Sequence, residues 1–284
     1  PYTDSTVTSG NAYKYQYLAY DRVNNSATYS STSVAKIDTA PPTAPQLVSP
    51  ENDNLSGQAT QTLSWSLSTD ATSGVNTYKL YIDDAENQVL DNTSTSANVT
   101  FADGTHTWCV VALDHAGNES ASVTRTIRID LVIQAPANLT ASPSSWTNVD
   151  NFTVSWTNPS DTSGIIGAYY KLNGAPASAE DGTYVTGANL ASISNITVGS
   201  DDTHTIYVWL KDSIGHVDHN NRSSTTLRLD TTPPSKPALH VPEDNFTTND
   251  NTPALGWENI TDLSGVNYSL VVASDQNFSS IVYN

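Results

Sequence analysis

The sequence predicts an all-β protein built of tandem antiparallel β-sandwich modules, with one further module split between the two chain ends. Three observations lead to this prediction: apolar and polar residues alternate over short segments, turn residues separate these segments, and the whole pattern repeats along the chain. A chain of 284 residues is long enough for two or three domains of about 100 residues each.

Each repeat closes with an apolar strand that ends on an aspartate and is followed by proline. The three copies end at Asp38, Asp130 and Asp230, and the second reaches its proline, Pro136, after a longer gap. Because proline cannot donate to a strand ladder, these segments predict strand ends and linkers. The predicted boundaries are the C-terminal half of a module at 1–38, complete modules at 39–130 and 131–230, and the N-terminal half of a module at 231–284.

A second signature follows each linker: a strand ending in tryptophan, an Asp turn with Ser-Gly, and then a strand rich in tyrosine and aliphatic residues. In the first copy Leu63 and Trp65 are two residues apart, so both side chains lie on one face of the strand. Each copy therefore predicts a core centred on an aromatic residue. The tryptophans are Trp65, Trp156 and Trp257, and the turn aspartates are Asp70, Asp161 and Asp262.

The third signature is a long alternating strand that runs into a tight turn. Its copies span Trp108 to Asp114, Ile206 to Asp212 and Tyr15 to Asp21, and each is followed by Gly or Asn. These residues supply the positive φ that tight hairpins require. The pattern predicts a hairpin before the final strand of each module. Module two differs from the others in a longer middle stretch, Asn173 to Ser194.

Taken together, the Trp strand, the Tyr strand and the aromatic-x-Val-x-Ala-x-Asp strand before an Ala-Gly-Asn turn resemble fibronectin type III modules and bacterial or archaeal Ig-like surface repeats. The resemblance covers essentially the whole chain. It implies a two-sheet sandwich in each repeat and a place in surface proteins, adhesins, S-layers or secreted polysaccharide-degrading enzymes. Since one such fold serves many roles, it implies no single function.

The two chain ends are predicted to be complementary. Residues 231–284 carry the early strands of a module, and residues 1–38 carry the late strands. Two explanations remain open: the chain is one window on a longer covalent array, or each subunit completes the half-sandwich of its neighbour by strand complementation. Under either explanation the partners are further copies of the same repeat.

Composition excludes several classes of function. The net charge of −18 leaves no basic face for nucleic acid, and no apolar run is long enough to span a bilayer. The single cysteine, Cys109, cannot form an intrachain disulfide. These features favour a protein of the extracellular space or cell surface of an archaeon or bacterium.

Recurring aspartates are the candidate metal ligands. Asp38, Asp130 and Asp230 at the module ends, with Asp114 and Asp212 at the hairpin turns, offer oxygen ligands for Ca²⁺ bridging adjacent modules. The alternative is that each aspartate only caps its own turn, as Asp commonly does. The fold itself requires no cofactor. The same hypothesis extends to the other repeat aspartates Asp21, Asp70, Asp161 and Asp262.

Asn-x-Ser/Thr sequons are more frequent than the abundance of Ser and Thr explains, which predicts N-linked glycans on a surface protein. The alternative is an effect of composition alone. The candidate asparagines are Asn24, Asn54, Asn92, Asn98, Asn118, Asn138, Asn151, Asn195, Asn221, Asn245, Asn259, Asn267 and Asn277.

No nucleophile motif or phosphate-binding loop occurs, and the acidic residues recur with the module period instead of converging. The chain is therefore predicted not to be an enzyme. The leading hypothesis is a structural subunit or segment of an extracellular filament, stalk or surface layer. The alternative is an adhesin or carbohydrate-binding array attached to a secreted hydrolase, with cell-surface glycans as partners and Trp146, Tyr169 and Tyr170 as candidate sugar platforms.

Overall fold

The computed structural model describes residues 3–30, 34–243 and 245–283, and this part of the chain consists of strands and turns without a helix. The predicted all-β class is confirmed. The predicted end points at residues 1 and 284 lie outside the described residues. The described residues hold no helix of a length and apolarity that could cross a membrane. The chain divides into two compact units, Pro1–Val132 with Asp161–Ser163, and Ile133–Ser160 with Gly164–Asn284.

The first unit begins with four short strands, in which β1 pairs with β4 and β2 pairs with β3. The β2–β3 hairpin turns at Asp21–Asn25, where Asn24 takes a φ of 65°. Tyr15, Leu18 and Tyr20 are all exposed. The strands are β1 (Ala12–Tyr13), β2 (Gln16–Tyr20), β3 (Ser26–Ser30) and β4 (Ala35–Lys36).

The rest of the first unit is a complete two-sheet sandwich. One sheet has the order β10-β7-β5, and the other has the order β6-β13-β11-β8-β9, with β12 beside β11. All pairs are antiparallel except β13 with β6. The strands are β5 (Leu47–Ser49), β6 (Asn54–Ser56), β7 (Thr60–Trp65), β8 (Val75–Ile82), β9 (Ala85–Asp91), β10 (Ser96–Thr100), β11 (Gly104–Asp114), β12 (Glu119–Ala121) and β13 (Arg125–Ile129).

Period-two alternation decides which side chains fill this sandwich. Successive residues of a strand point to opposite faces, and the inward set is fully buried while its neighbours remain partly accessible. Trp65 on β7 meets Tyr78 on β8 across the two sheets, with ring centroids 5.9 Å apart. The inward residues include Leu63, Trp65, Tyr78, Leu80, Trp108, Val110, Ala112, Ile127 and Ile129.

Tyr78 also ties its sheet to the loop that connects the two sheets. Its hydroxyl accepts a hydrogen bond from the backbone nitrogen of Ser68 at 2.5 Å, in a buried position. A buried backbone N–H without a partner costs about 1–3 kcal/mol. The tyrosine therefore serves both as a core residue and as the partner of a loop amide.

The second unit contains a second complete sandwich. Its sheets have the orders β14-β15-β18 and β17-β16-β19-β20, and their inward residues form one apolar cluster that includes Phe152, Trp156 and Ile206. The strands are β14 (Ala137–Ser142), β15 (Phe152–Thr157), β16 (Ile165–Leu172), β17 (Thr183–Thr186), β18 (Ser192–Ile196), β19 (Asp202–Asp212) and β20 (Val217–Leu229).

The longer middle stretch of this module covers the outer face of its sheet. Trp209 points away from the main core yet is fully buried, and its indole nitrogen donates to the carbonyl of Ala179 at 2.7 Å. The ring of Tyr169 stacks on Trp209 at 5.5 Å. Gly182 allows the close packing, since a Cβ there would lie 2.5 Å from the indole. The insertion thus builds a small second core.

Residues 231–283 form only short ladders, β21 with β22 and β23 with β24. The strand expected over Tyr268 to Val272 is present only at its end. Its equivalent in the first sandwich, β8, pairs with β9 and β11, and no such neighbours lie beside residues 268–271 in the described chain. The strands are β21 (Leu239–Val241), β22 (Gly256–Trp257), β23 (Val272–Ala273) and β24 (Ile281–Tyr283).

We expect Tyr78→Phe to destabilise the first sandwich by about 1–3 kcal/mol, because the Ser68 amide loses its acceptor while the ring and its packing remain. Urea unfolding monitored by tryptophan fluorescence measures the change. Tyr81→Phe is the matched control, since Tyr81 lies on the same strand but on its partly exposed face. Equal midpoints for the two variants would contradict the role given to the hydroxyl.

Candidate functional site

The three hairpin aspartates adopt one repeated arrangement. In each, Oδ1 accepts hydrogen bonds from backbone nitrogens two and four residues further along the chain, as in Asp114 with Ala116 and Asn118, both at 2.8 Å. Asp21 and Asp212 make the same pair of contacts. Each of these three aspartates therefore caps its own turn through Oδ1, which is the alternative to metal binding considered in the sequence analysis.

The Asp turn after the tryptophan strand is closed in the same manner. Asp70 Oδ1 accepts from the backbone nitrogens of Ser73 and Gly74, both at 2.8 Å, and of Thr72 at 3.0 Å. Gly74 has a φ of 76°, a conformation that side chains with a Cβ rarely adopt. No described residue donates to Asp70 Oδ2.

Sandwich closure brings three of these aspartates together in the first unit. One carboxylate oxygen from each of Asp38, Asp70 and Asp114 lies within 4.8 Å of the other two. Asp114 is 1% exposed, and Asp38 and Asp70 are half-buried. Three of the predicted ligands, the module-end Asp38, the turn residue Asp70 and the hairpin residue Asp114, are thus neighbours.

Hydrogen bonds within their own turns favour the ionised forms of Asp70 and Asp114. The backbone N–H groups of Gly74 and Ser73 lower the pKa of Asp70 below its ordinary value, although the charge of Asp114 opposes them. Burial raises the pKa of Asp114, but the Asn118 side chain and turn amides outweigh burial, so the net pKa is also lowered. The group therefore concentrates negative charge at neutral pH.

Asn118 connects the hairpin to the linker before the module. Its side-chain nitrogen donates to Asp114 Oδ2 at 2.7 Å and to the carbonyls of Asp38 and Ala40 at 3.3 and 3.4 Å. One amide thus contacts the end of the preceding strand segment and the turn of the module. Because the nitrogen is used in this way, Asn118 is poorly suited to carry a glycan.

The remaining predicted ligands have other partners within their own units. Asp130 Oδ2 accepts from the backbone nitrogen of Ser163 at 2.9 Å, and Asp230 Oδ2 accepts from that of Ser264 at 3.0 Å. Asp212 Oδ2 lies 2.9 Å from His216 Nδ1. Hydrogen bonds from the Ser264 side chain, and from the neighbouring Asp262, lower the pKa of Asp230.

Most of the sequon asparagines are exposed, but Asn54, Asn118 and Asn221 are half-buried. The side-chain amide nitrogen of Asn221 donates to the carbonyl of Ile133 at 2.8 Å. Like that of Asn118, it is therefore occupied by a hydrogen bond to the backbone. The exposed candidates are Asn24, Asn92, Asn98, Asn138, Asn151, Asn195, Asn245, Asn259, Asn267 and Asn277.

The candidate sugar platforms lie largely inside the fold. Tyr169 is buried against Trp209, and Tyr170 packs on the apolar cluster of the second sandwich. Trp146 is half-buried beside Asn148 and Asp230, at an open hollow of about 480 Å³. Tyr170 also borders an open hollow, of about 290 Å³, so of the three predicted rings only that of Tyr169 is buried.

Two histidine contacts were not predicted, although the sequence places His106 and His204 at equivalent positions. His106 Nδ1 lies 2.7 Å from Asp83 Oδ2, and its Nε2 lies 3.2 Å from the carbonyl of Ala102. His204 makes the matching pair of contacts, with Asn173 and the carbonyl of Ser200. Each ring thus connects the start of the long strand, β11 or β19, to the turn that follows the neighbouring strand, β8 or β16. Such a contact depends on strand register, so local sequence does not predict it.

We expect Asp114→Asn to reduce the loss of stability in acid. The folded pKa of Asp114 lies below its unfolded value of about 3.9, so its contribution is present above about pH 4 and is lost as pH falls through the folded pKa. Urea midpoints measured in EDTA from pH 6 downward test this. The control is Asp84→Asn, at an exposed aspartate outside the group of Asp38, Asp70 and Asp114, and it should keep the wild-type dependence of stability on pH. A wild-type dependence in Asp114→Asn would contradict the expectation.

Comparison with known proteins gives one curated relative and several solved structures. No family model matches the chain. The chain is 32% identical over 188 residues to chitinase A1 of Niallia circulans, a match that covers 63% of this chain and 25% of the chitinase. The chain therefore spans about a quarter of the length of that relative.

Two of the similar solved structures contain fibronectin modules. The fibronectin(III)-like modules of Clostridium thermocellum CbhA are 15% identical, cover 64% of this chain and 92% of their own, and give a TM-score of 0.28. The FN1–FN3 domains of chicken CNTN1 are 15% identical, cover 80% of this chain and 90% of their own, and give a TM-score of 0.40.

The strand order supports the resemblance drawn from the sequence. Each complete sandwich pairs a three-stranded sheet, which carries the tryptophan strand, with a larger sheet, which carries the tyrosine strand and the long hairpin. The same signatures recur in order along the chain. The chain contains two complete β-sandwich modules in tandem, and its repeated signatures resemble those of fibronectin type III modules.

Proposed function

We propose that this chain is a non-catalytic structural segment of an extracellular filament, stalk or surface layer. The observation that carries the proposal is the repetition of whole modules with the same turn chemistry. The hairpin aspartates Asp21, Asp114 and Asp212 each cap their own turn through Oδ1. Their hydrogen bonds stabilise loops, as expected of a chain selected for length and stiffness.

The surface chemistry supports an extracellular role. Exposed sequon asparagines are distributed over both units, and a glycan on such a position would project into solvent without disturbing the core. The net charge of −18 adds repulsion between neighbouring arrays. Glycans and charge together would keep closely spaced stalks apart.

An uncovered core face supports assembly into longer structures. Tyr268 and Leu270 are 42% and 38% exposed, whereas their equivalents in the first sandwich, Tyr78 and Leu80, are fully buried. The ring centroids of Trp257 and Tyr268 nevertheless lie 5.5 Å apart, close to the 5.9 Å between Trp65 and Tyr78. The Tyr268 hydroxyl accepts a hydrogen bond from the backbone nitrogen of Ile260. The early half of a module is thus preformed and presents its inner face.

In the first sandwich β11 extends the sheet beside β8 and β13 pairs with β11, and the inward side chains of both strands complete the core. Residues 12–38 carry the same late-strand pattern, so we propose that a segment of this kind covers residues 231–283. Burying each large apolar side chain stabilises the assembly by about 1.5–3 kcal/mol. The segment is supplied either by the next repeat of a covalent array or by a second copy in a head-to-tail polymer.

The molar mass of the native protein in strong denaturant, measured without prior proteolysis, separates these two arrangements. A mass near 30.4 kDa plus glycans, with filaments under native conditions, would establish strand complementation. A far larger mass would establish a covalent array. Glycopeptide mapping of the same material should find glycans on exposed sequons and none on Asn118 or Asn221; a protein that is monomeric and unglycosylated would refute the structural proposal.

A second candidate function is an adhesin or carbohydrate-binding array attached to a secreted hydrolase. The similarity to chitinase A1 favours it, and the half-buried Trp146 lies beside an open hollow where a sugar ring could reach it. Under this proposal the modules space or attach a catalytic domain, and chitin or a related polysaccharide is the partner.

Binding to chitin distinguishes the two functions. The structural proposal expects the purified chain to remain in solution with chitin and to release no soluble sugar, because its modules have a spacing role. Retention on chitin that Trp146→Ala weakens at least tenfold, while Trp209→Phe does not, would establish the second function. Release of chitin fragments would refute both non-catalytic functions.

A further inference from the structure

We infer that Asp38, Asp70 and Asp114 together bind a calcium ion. Asp38 ends the strand segment before the first complete module, Asp70 lies in the turn after its tryptophan strand, and Asp114 lies in its hairpin. One oxygen of each lies within 4.8 Å of the others. A cation bound among them would contact all three carboxylates at the 2.3–2.6 Å distances that Ca²⁺ prefers, about half that separation.

A buried oxygen without a partner points to a missing ligand. Asp38 Oδ1 accepts from the backbone nitrogen of Ala40 at 3.0 Å, but Asp38 Oδ2 is inaccessible to solvent and has no hydrogen-bond partner among the described residues. Leaving a buried carboxylate oxygen without a partner is unfavourable, because its desolvation is not offset. Turn capping explains Asp38 Oδ1 and leaves Oδ2 unexplained, and a cation would satisfy it.

The charge of the group is also uncompensated. Among the described residues, no Lys, Arg or His forms an ion pair with any of the three carboxylates. The nearby Lys36 ammonium instead donates to the carbonyl of Thr72. Like charges this close repel one another, and a divalent cation would reverse that repulsion.

The donor set selects among metals. All three side chains are carboxylates, which suit hard cations, and the group contains neither the cysteine nor the histidine that zinc and copper favour. Ca²⁺ tolerates irregular coordination and completes its shell with water, whereas Mg²⁺ requires near-octahedral geometry. Extracellular modules bind Ca²⁺ with a Kd of about 10⁻⁴–10⁻³ M, which is the range we expect here.

The ion would fix the linker against the module. Asn118 already contacts the carbonyls of Asp38 and Ala40, and Ca²⁺ would add a charged connection between the same linker and two turns. This stiffening role rests on the proposed structural function, whereas the binding of the ion does not. A calcium-loaded array would be straighter than the calcium-free one.

Calorimetric titration of Ca²⁺ into the full chain at 150 mM NaCl, after treatment with EDTA, tests the site. The test variants are Asp38→Asn and Asp70→Asn, because asparagine keeps the oxygen that accepts the turn amides and removes only the charge. Asp84→Asn is the matched control: it removes one exposed charge from the same module and controls for diffuse binding to an acidic protein.

We expect one equivalent of Ca²⁺ to be lost, or its Kd to rise at least tenfold, in Asp38→Asn and Asp70→Asn but not in Asp84→Asn. In the wild type, Ca²⁺ should raise the Tm of the first sandwich, since a ligand that binds only the folded state stabilises it. Binding that is absent, equally weakened in all three variants, or matched by Mg²⁺ would overturn the inference.

Small-angle scattering with and without Ca²⁺ tests the stiffening role separately. A larger maximum dimension in Ca²⁺, lost in Asp70→Asn, supports both the site and the structural function. Unchanged dimensions with intact calorimetric binding would refute the stiffening role and leave the site standing. Loss of calorimetric binding would refute the site and leave the structural function to be judged by the mass and filament experiment.

Discussion

The packing of two sheets through one inward face is the constraint on which the whole structure depends. With a single cysteine, the chain cannot close its modules by disulfides. Each module must therefore bury large side chains between its sheets, and the contact of Trp65 with Tyr78 does so across the first sandwich. The hydroxyl of Tyr78 then orders the loop at Ser68, so core and loop are stabilised by one residue.

The second sandwich meets the same constraint with different side chains. Tyr78 lies opposite Ala112 on neighbouring strands of the first module, whereas at the equivalent pair of the second module Ala168 lies opposite Leu210. A large residue has moved from one strand to the other, so the core keeps its volume, as close packing requires. The aromatic residues displaced from this core, Tyr169 and Trp209, form the outer layer beneath the insertion.

The repeated aspartates show how one residue type serves two purposes in one fold. Through Oδ1 they satisfy the backbone amides of tight turns, which every copy of the module needs. Where the linker and two turns meet, one carboxylate oxygen from each of Asp38, Asp70 and Asp114 lies within 4.8 Å of the other two. The geometry of capping thus creates the acidic group without any dedicated metal-binding loop, and the buried Oδ2 of Asp38 marks where capping no longer accounts for the structure.

The sequence by itself determined the strands, the turns and the repeat, because alternation, proline and capping act over a few residues. It predicted Asp38, Asp70 and Asp114 among nine candidate ligands, but not that these three would form one group. Only the tertiary structure decided that, since sandwich closure brings together turns that are far apart in the chain. The same long-range packing decided that Asn118 and Asn221 are engaged by carbonyls and that Tyr169 is buried, which local sequence does not encode.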